Sequence, residues 1–365
     1  MLKKEELIQQ LDQIVRLQTL PGNFAENKKA LDAVVSWLSK SAQIVRLENK
    51  GTEILLVSNK KTMTPDFGYM VHMDVVAAPE EMFKVSLDGD KALGRGVSDM
   101  KFSVPLGVAL LNELIEQKSE LSFTLCITTD EEVGGYAGGA WLATEYGWKP
   151  KTLIVPDGGD NLRFVEKGKG VCQLQVTSTG VATHASRVWE GKNAIPSLAK
   201  LTVELDKLFG KTNQSETWET TLNFGQFNAG ISVNQVCDLA VLRLDFRYPE
   251  TSSVEEIETM VKKLAESIDP ELKIERLSTG LPTFTDINLP VVKDFFAAME
   301  VEVRQKLETM GAYGASDARH FAHLKTPVLM LKPMRGDIHA LTVRISLSST
   351  TELYEGLRRF LGLKR

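Results

Sequence analysis

His72-Met73-Asp74 follows the strand-like run Phe67-Gly68-Tyr69-Met70-Val71. Residues two apart on an extended segment point the same way, so Asp74 is placed to accept the second ring N–H of His72, the arrangement that orients a metal-ligating imidazole. Gly94-Arg95-Gly96-Val97-Ser98-Asp99-Met100-Lys101 reads as a glycine-flanked turn feeding a helix. It lacks the Lys-Ser/Thr ending of a phosphate-binding loop, which argues against a nucleotide site. In Thr128-Thr129-Asp130-Glu131-Glu132-Val133-Gly134-Gly135, three consecutive carboxylates stand directly after the apolar run Leu125-Cys126-Ile127. Such charges repel one another unless something positive neutralises them. Leu153-Ile154-Val155-Pro156-Asp157-Gly158-Gly159-Asp160 repeats the theme of a buried strand with an acid at its tip, and His339 lies in a loop after the strand-like stretch 327–331.

Each segment alone has an ordinary reading: a strand-end histidine, a helix cap, a solvated acidic loop. Together they offer two histidines and several carboxylates from strand ends and loops of one sheet domain. That donor mixture suits zinc, with manganese or cobalt as substitutes.

The elements that must hold these residues follow from periodicity. Up to about residue 170, helical and strand-like patterns alternate: helices near 3–18, 25–41 and 101–117, strands near 43–57, 67–71, 122–128 and 152–155, with a further helix before the last strand. This predicts an α/β fold with a mostly parallel mixed sheet flanked by helices, in which ligands gather at strand ends. From 171 to 280 the order becomes strand (171–178), helix (193–208), two strands (217–227, 237–248), helix (252–268), strand (272–276), which is a ferredoxin-like α+β arrangement. A helix near 289–308, a strand at 327–331 and a final helix near 351–362 resume the α/β character. The expected organisation is a catalytic domain made of residues 1–170 and 281–365, interrupted by an inserted domain of residues 171–280.

The chain has 365 residues, 25% of them charged, and a net charge of −5 without a basic stripe, which argues against nucleic acid or an anionic membrane as partner. No apolar run approaches the ~20 residues needed to span a bilayer. The N-terminal pattern Leu7, Leu11, Ile14, Val15 is that of an amphipathic helix and not of a signal peptide. Cys126, Cys172 and Cys237 are widely spaced in apolar runs, the pattern of buried thiols in a reducing cytoplasm.

The residues resemble the M20 metallopeptidase and aminoacylase family, whose series His-x-Asp, Gly-Arg-Gly-x-x-Asp-x-Lys, Glu-Glu, Asp or Glu, and His is met here in order. The resemblance implies a zinc-peptidase-like catalytic domain and a lid and dimerisation domain inserted between the fourth and fifth ligands. It further implies two divalent ions, His72 and Asp157 holding one, Glu132 and His339 the other, and Asp99 bridging both. Asp74 would orient His72, and Glu131 would be the general base. Two cations about 3.5–4 Å apart acidify a water between them, and Glu131 could take its proton and pass it to the leaving amine.

The inserted domain adds Gly180-Val181-Ala182-Thr183-His184-Ala185-Ser186, which is similar to the family's lid motif. The resemblance implies that His184 helps stabilise the oxyanion, often from the other subunit of a homodimer, and that Asn234 and Arg247 contact the substrate. Gly314-Ala315-Ser316-Asp317-Ala318-Arg319 is similar to the family's segment near the substrate pocket and places Gly314 and Ser316 there; His320 and His323 are taken as structural. Two positions depart from the family pattern: Val71 stands where Gly commonly precedes the first His, and Val343 where an acid follows the last. Asp at the fourth ligand tilts the expectation toward an aminopeptidase or dipeptidase acting on small peptides. An N-acyl amino acid deacylase or carboxypeptidase is the alternative, and a metal-free binding relative is the minor one.

Overall fold

The computed structural model describes residues 2–336 and 340–364. Among these residues two compact units are formed, residues 1–167 with 284–365 and residues 168–283.

The first unit is built on a six-stranded sheet in the order Gln43–Asn49, Thr52–Ser58, Phe123–Thr128, Phe67–His72, Thr152–Ile154, Val328–Leu329. Phe67–His72 runs parallel to both its neighbours, with His72 opposite Thr128, and Val328–Leu329 runs parallel to Thr152–Ile154. The parallel strands are apolar on both faces because both are covered. Tyr69, Val71, Leu125 and Ile127 join a core with Leu11, Ile14, Leu110 and Leu114 from flanking helices. Their neighbours Met70, Cys126, Leu153 and Val155 pack on the other side with Trp148 and Phe321. Each such side chain contributes about 1.5–3 kcal/mol on burial. All three cysteines are buried and free.

Several elements differ from the sequence-based expectation for local reasons. The strand expected near 43–57 is a hairpin: Lys50 and Gly51 both take left-handed backbone (φ 50° and 82°), and Asn49 pairs with Thr52 across a two-residue turn. Alternation continues through both arms, so periodicity alone does not reveal the reversal. The helix before Thr152 is replaced by two wide π-type turns, Tyr136–Ala140 and Leu142–Tyr146. Pro290–Val303 stops short of 308 at a left-handed Arg304. Leu347–Phe360 begins earlier than 351 because Ser346 caps it, its hydroxyl accepting from the Ser349 N–H.

The second unit has four antiparallel strands in the order Thr221–Ala229, Leu239–Tyr248, Gly170–Thr179, Lys273–Gly280. Numbered along the chain these are strands 2-3-1-4, the ferredoxin-like order. Helices Ile195–Phe209 and Val254–Ile268 bury Leu198, Leu201, Ile257 and Val261 against Cys172, Leu174, Leu242 and Leu244 on one sheet face.

The helix Ser103–Glu116 begins just after Asp99, and its far end is anchored by charge. Glu113 accepts from Arg358 Nε at 2.9 Å and from the Tyr354 hydroxyl, with both carboxylate and guanidinium buried. Truncating one partner leaves the other charged and unpaired in the interior, which costs about 3–5 kcal/mol. Glu113→Ala is therefore expected to lose about that much stability in urea denaturation; a loss below about 1 kcal/mol would show that the pair does not anchor the helix.

Candidate metal and catalytic site

The carboxyl ends of the parallel strands supply the site. Phe67–His72 ends on His72 itself, Phe123–Thr128 is followed by Asp130-Glu131-Glu132, Thr152–Ile154 by Asp157, and Val328–Leu329 by Lys332. Asp99 enters from the turn before Ser103–Glu116. That turn is held by Lys101, a fully buried ammonium that donates to the carbonyls of Ile14 (2.8 Å) and Leu17 (3.0 Å) at the end of the first helix. Carbonyls at a helix C-terminus favour a cation, although burial pulls the Lys101 pKa down to about 7 against the opposing influence of Asp74. Gly96, with φ +82°, lets the turn close over this lysine: a Cβ there would lie 3.0 Å from Lys101 Cδ and 2.8 Å from Val75.

One atom from each of His72, Asp99 and Asp157 lies within 4.8 Å of the other two, and among the described residues this is the one such group of metal-ligand type. His72 Nε2 is 3.6 Å from Asp99 Oδ1 and 3.9 Å from Asp157 Oδ1. On the other side of the ring, Nδ1 is 3.0 Å from the carbonyl oxygen of Asp74 and 3.5 Å from its carboxylate. The backbone carbonyl therefore orients the imidazole more closely than the carboxylate does. The Asp74 carboxylate instead accepts the backbone N–H of Glu132 at 2.9 Å, which ties the first strand end to the second. Burial works against a charged His72, yet the neighbouring Asp74 and Asp99 carboxylates outweigh it and raise the histidine pKa well above its ordinary value. Asp157 is pushed up to about 7, chiefly by burial, while Lys332 acts in the opposite sense.

The three consecutive acids diverge. Asp130 turns inward, its carboxylate accepting from the N–H groups of Ala137 (2.9 Å) and Gly138 (3.0 Å), and burial with a nearby Asp317 raises its pKa to about 7. Glu131 lies near enough to His72 and Asp157 to feel their charges, and burial raises its pKa well above the ordinary carboxyl range; His72 and Arg319 oppose that shift. Arg319 Nη1 stands 3.7 Å from Glu131, and Nη2 donates to the Gly134 carbonyl at 2.8 Å. Glu132 lies where its charge, with that of Asp99, favours the buried Arg95 guanidinium. Gly135 (φ +63°) lets the loop pass over Asp317: a Cβ would sit 2.0 Å from that carboxylate.

The remaining candidates fall elsewhere. His339 lies outside the described residues. Glu132 is not in the three-residue group. Ser316 is buried and its carbonyl accepts from Arg319, while Gly314 is exposed. His320 faces the Gly134 carbonyl at 3.1 Å, a structural contact on the same loop that Arg319 holds. In the second unit His184 and Asn234 are brought side by side, for the Ala185 N–H donates to the Asn234 carbonyl at 2.9 Å and His184 bridges to Gln235. Arg247 is engaged within its own strand, Nε and Nη2 pairing with Asp245 at 2.7 and 3.2 Å. Sequence reasoning assigned no role to Lys332, Lys101 or Arg319. The signal for each was a basic residue inside an apolar or motif context, but its partners are far away in the chain.

The donors fit a divalent metal. Imidazole nitrogen and carboxylate oxygens are its common ligands, and the cluster otherwise attracts protons and the Lys332 ammonium, positive charge of the kind an ion would bring.

Among curated relatives, a probable carboxypeptidase from Aspergillus clavatus is 27% identical over 307 residues, covering 81% of this chain and 71% of the relative. A succinyl-diaminopimelate desuccinylase from Dinoroseobacter shibae is 25% identical over 355 residues, covering 91% and 93%. Solved structures share the fold. An M20 family metallo-carboxypeptidase from Sulfolobus solfataricus superposes with a TM-score of 0.81 at 15% identity over 98% of this chain and 99% of that one. A tripeptidase from Staphylococcus aureus does so with 0.78 at 19% identity over 99% and 98%. Residues 68–362 match the description Peptidase family M20/M25/M40, and the chain therefore belongs to that family of metal-dependent hydrolases of amide and peptide bonds.

Proposed function

We propose that this enzyme hydrolyses the peptide bonds of small peptides, in the manner of an aminopeptidase or dipeptidase, with Glu131 as general base. The observation that carries the reading is Glu131 itself: a largely buried carboxylate with raised proton affinity, near enough to His72 and Asp157 to feel their charges and 3.7 Å from Arg319 Nη1. A carboxylate whose proton affinity is raised by burial can both take a proton from water and return it. In this reading His72 and Asp157 hold one divalent ion, Glu132 and His339 a second, with Asp99 between them; zinc is the preferred ion, manganese or cobalt substitutes. When bound, such ions acidify water and polarise the scissile carbonyl. Glu131 then accepts the proton of the attacking water and delivers it to the amide nitrogen, so that the C–N bond breaks with a neutral amine leaving. Asp74, Arg319 and Lys101 keep the base and ligands in place.

His184, beside Asn234, would stabilise the developing oxyanion, from its own or a partner subunit. Pairing of two second units into a homodimer is supported by the edge strand Thr221–Ala229 and by the exposed Trp189, Ile231 and Val233. The free buried cysteines suit a cytoplasmic setting. Deacylation of N-acyl amino acids, or carboxypeptidase action, uses the same apparatus; the desuccinylase relative, matched over 93% of its length, favours that second reading. Assay of dipeptides, N-terminal amide reporters and N-acyl amino acids side by side with added zinc, manganese or cobalt tests the order of preference: faster turnover of acylated substrates than of free dipeptides would reverse it.

Glu131→Gln is expected to retain metal while turnover falls by about 10²–10⁴, measured by elemental analysis and steady-state rates on one preparation; an active variant would remove Glu131 as base. His184→Ala is expected to lower kcat with metal content unchanged, and parental kinetics would exclude it from the reaction.

Metal affinity should also depend on pH. In the metal-free protein Asp157 holds its proton up to about pH 7 and the neighbouring carboxylates keep His72 protonated well beyond the usual imidazole range, and an ion must displace both protons. Affinity is therefore low below their raised pKa values and rises with pH through about 7. Zinc dissociation constants from chelator competition should be weaker at pH ~6 than at pH ~8 by about tenfold or more. A flat profile would take both residues out of the ligand set.

A further inference from the structure

We propose that Lys332 is a cation built into the metal site: its ammonium holds Asp99 and Asp157 together in the metal-free protein and, by its charge, weakens binding of the ion that those two carboxylates share with His72. This rests on the metal reading given above and concerns what the chain itself adds to it.

Lys332 Nζ is 3.3 Å from Asp99 Oδ1 and 3.3 Å from Asp157 Oδ1, the same two oxygens that face His72 Nε2. The side chain is 1% exposed. Its backbone is fixed, because its carbonyl accepts from the Leu162 N–H at 3.0 Å and the adjoining Leu331 is in the core. The chain thus drives a full positive charge, in addition to that of His72, against the two carboxylates that would hold a metal. Two carboxylates screened from water would repel each other, and a cation in contact with both removes that repulsion before any ion arrives.

The same placement opposes metal. A divalent ion among His72, Asp99 and Asp157 would stand a few ångströms from the ammonium, and like charges at that distance in a poorly screened site are strongly unfavourable. Asp99 and Asp157 cannot give all their acceptor capacity to both. The flexible four-carbon stem of lysine allows the ammonium to withdraw as the ion enters, so binding is weakened and not forbidden. The outcome is a chain that folds with its ligands gathered in the absence of metal, at the expense of affinity for one of its ions.

The test uses the full chain, zinc alone as the probe, and the variants K332M, K332Q and K332R. Zinc affinity is read by competition with a chromophoric chelator, stoichiometry by elemental analysis, and the thermal midpoint with and without zinc. K332M, which keeps length and loses charge, is expected to bind one zinc at least about tenfold more tightly than the parent. Its midpoint should fall without zinc and recover with it, so the zinc-induced shift grows. K332Q should behave likewise, which covers the case of a poorly folding K332M, whereas K332R should keep the parent's weaker affinity. A purely structural lysine would instead give variants that bind zinc less well. Equal or weaker zinc binding by K332M and K332Q, or tightened binding by K332R, would overturn the proposal while leaving the metal site standing. Zinc bound by neither parent nor variants would bring down the metal reading and this proposal together.

Discussion

Asp99 and Asp157 come within 3.6 and 3.9 Å of one histidine nitrogen at the rim of a parallel sheet, with Glu131 close behind, in a place largely closed to water. Charges so arranged repel one another, and the surrounding structure is organised by the need to offset that repulsion. Lys332 reaches the two aspartates, Arg319 approaches Glu131, and Arg95 lies where Glu132 and Asp99 favour its charge. What burial and pairing leave unbalanced appears as raised proton affinity on His72, Asp157 and Glu131. A divalent cation supplies the same compensation in a form that also activates water. The site's chemistry and the electrostatic problem of building it thus have one solution.

Strand order makes that gathering possible. Adjacent parallel strands, all ending at one edge, bring residues 72, 130–132, 157 and 332 together although they are spread over most of the chain. The core beneath is sandwiched between helices on one face and the Trp148–Phe321 cluster on the other, so the strand ends have little freedom. Relatives only 25–27% identical are compatible with this, because a core tolerates exchange of apolar side chains of similar volume.

Residues whose meaning was local were legible in the sequence. His72 and Asp157 each stand at the end of an apolar run, Asp99 sits on a glycine-flanked turn, and the β-α-β-β-α-β order of the second unit follows from periodicity. Residues whose meaning depends on a distant partner were not. Lys101 acquires its role from carbonyls about 85 positions away and Lys332 from carboxylates 175 and 233 positions away, separations at which no pattern survives. Asp74 was expected to act through its carboxylate on His72; one carboxylate oxygen does stand 3.5 Å from Nδ1, but the Asp74 carbonyl is closer at 3.0 Å and the other carboxylate oxygen accepts the Glu132 N–H, neither of which spacing alone reveals. The hairpin at Lys50-Gly51 escaped for another reason, since a two-residue reversal leaves the two-residue alternation intact in both arms.

The base and the ion-binding donors described here belong to the first unit. Arg247 lies in the second, where Asp245 occupies it in a two-point contact and also accepts from Gln173. A substrate carboxylate would have to share or displace Asp245, forgoing part of the gain that a free guanidinium offers. Any carboxylate brought to Arg247 is accordingly met by competition from the protein's own acid.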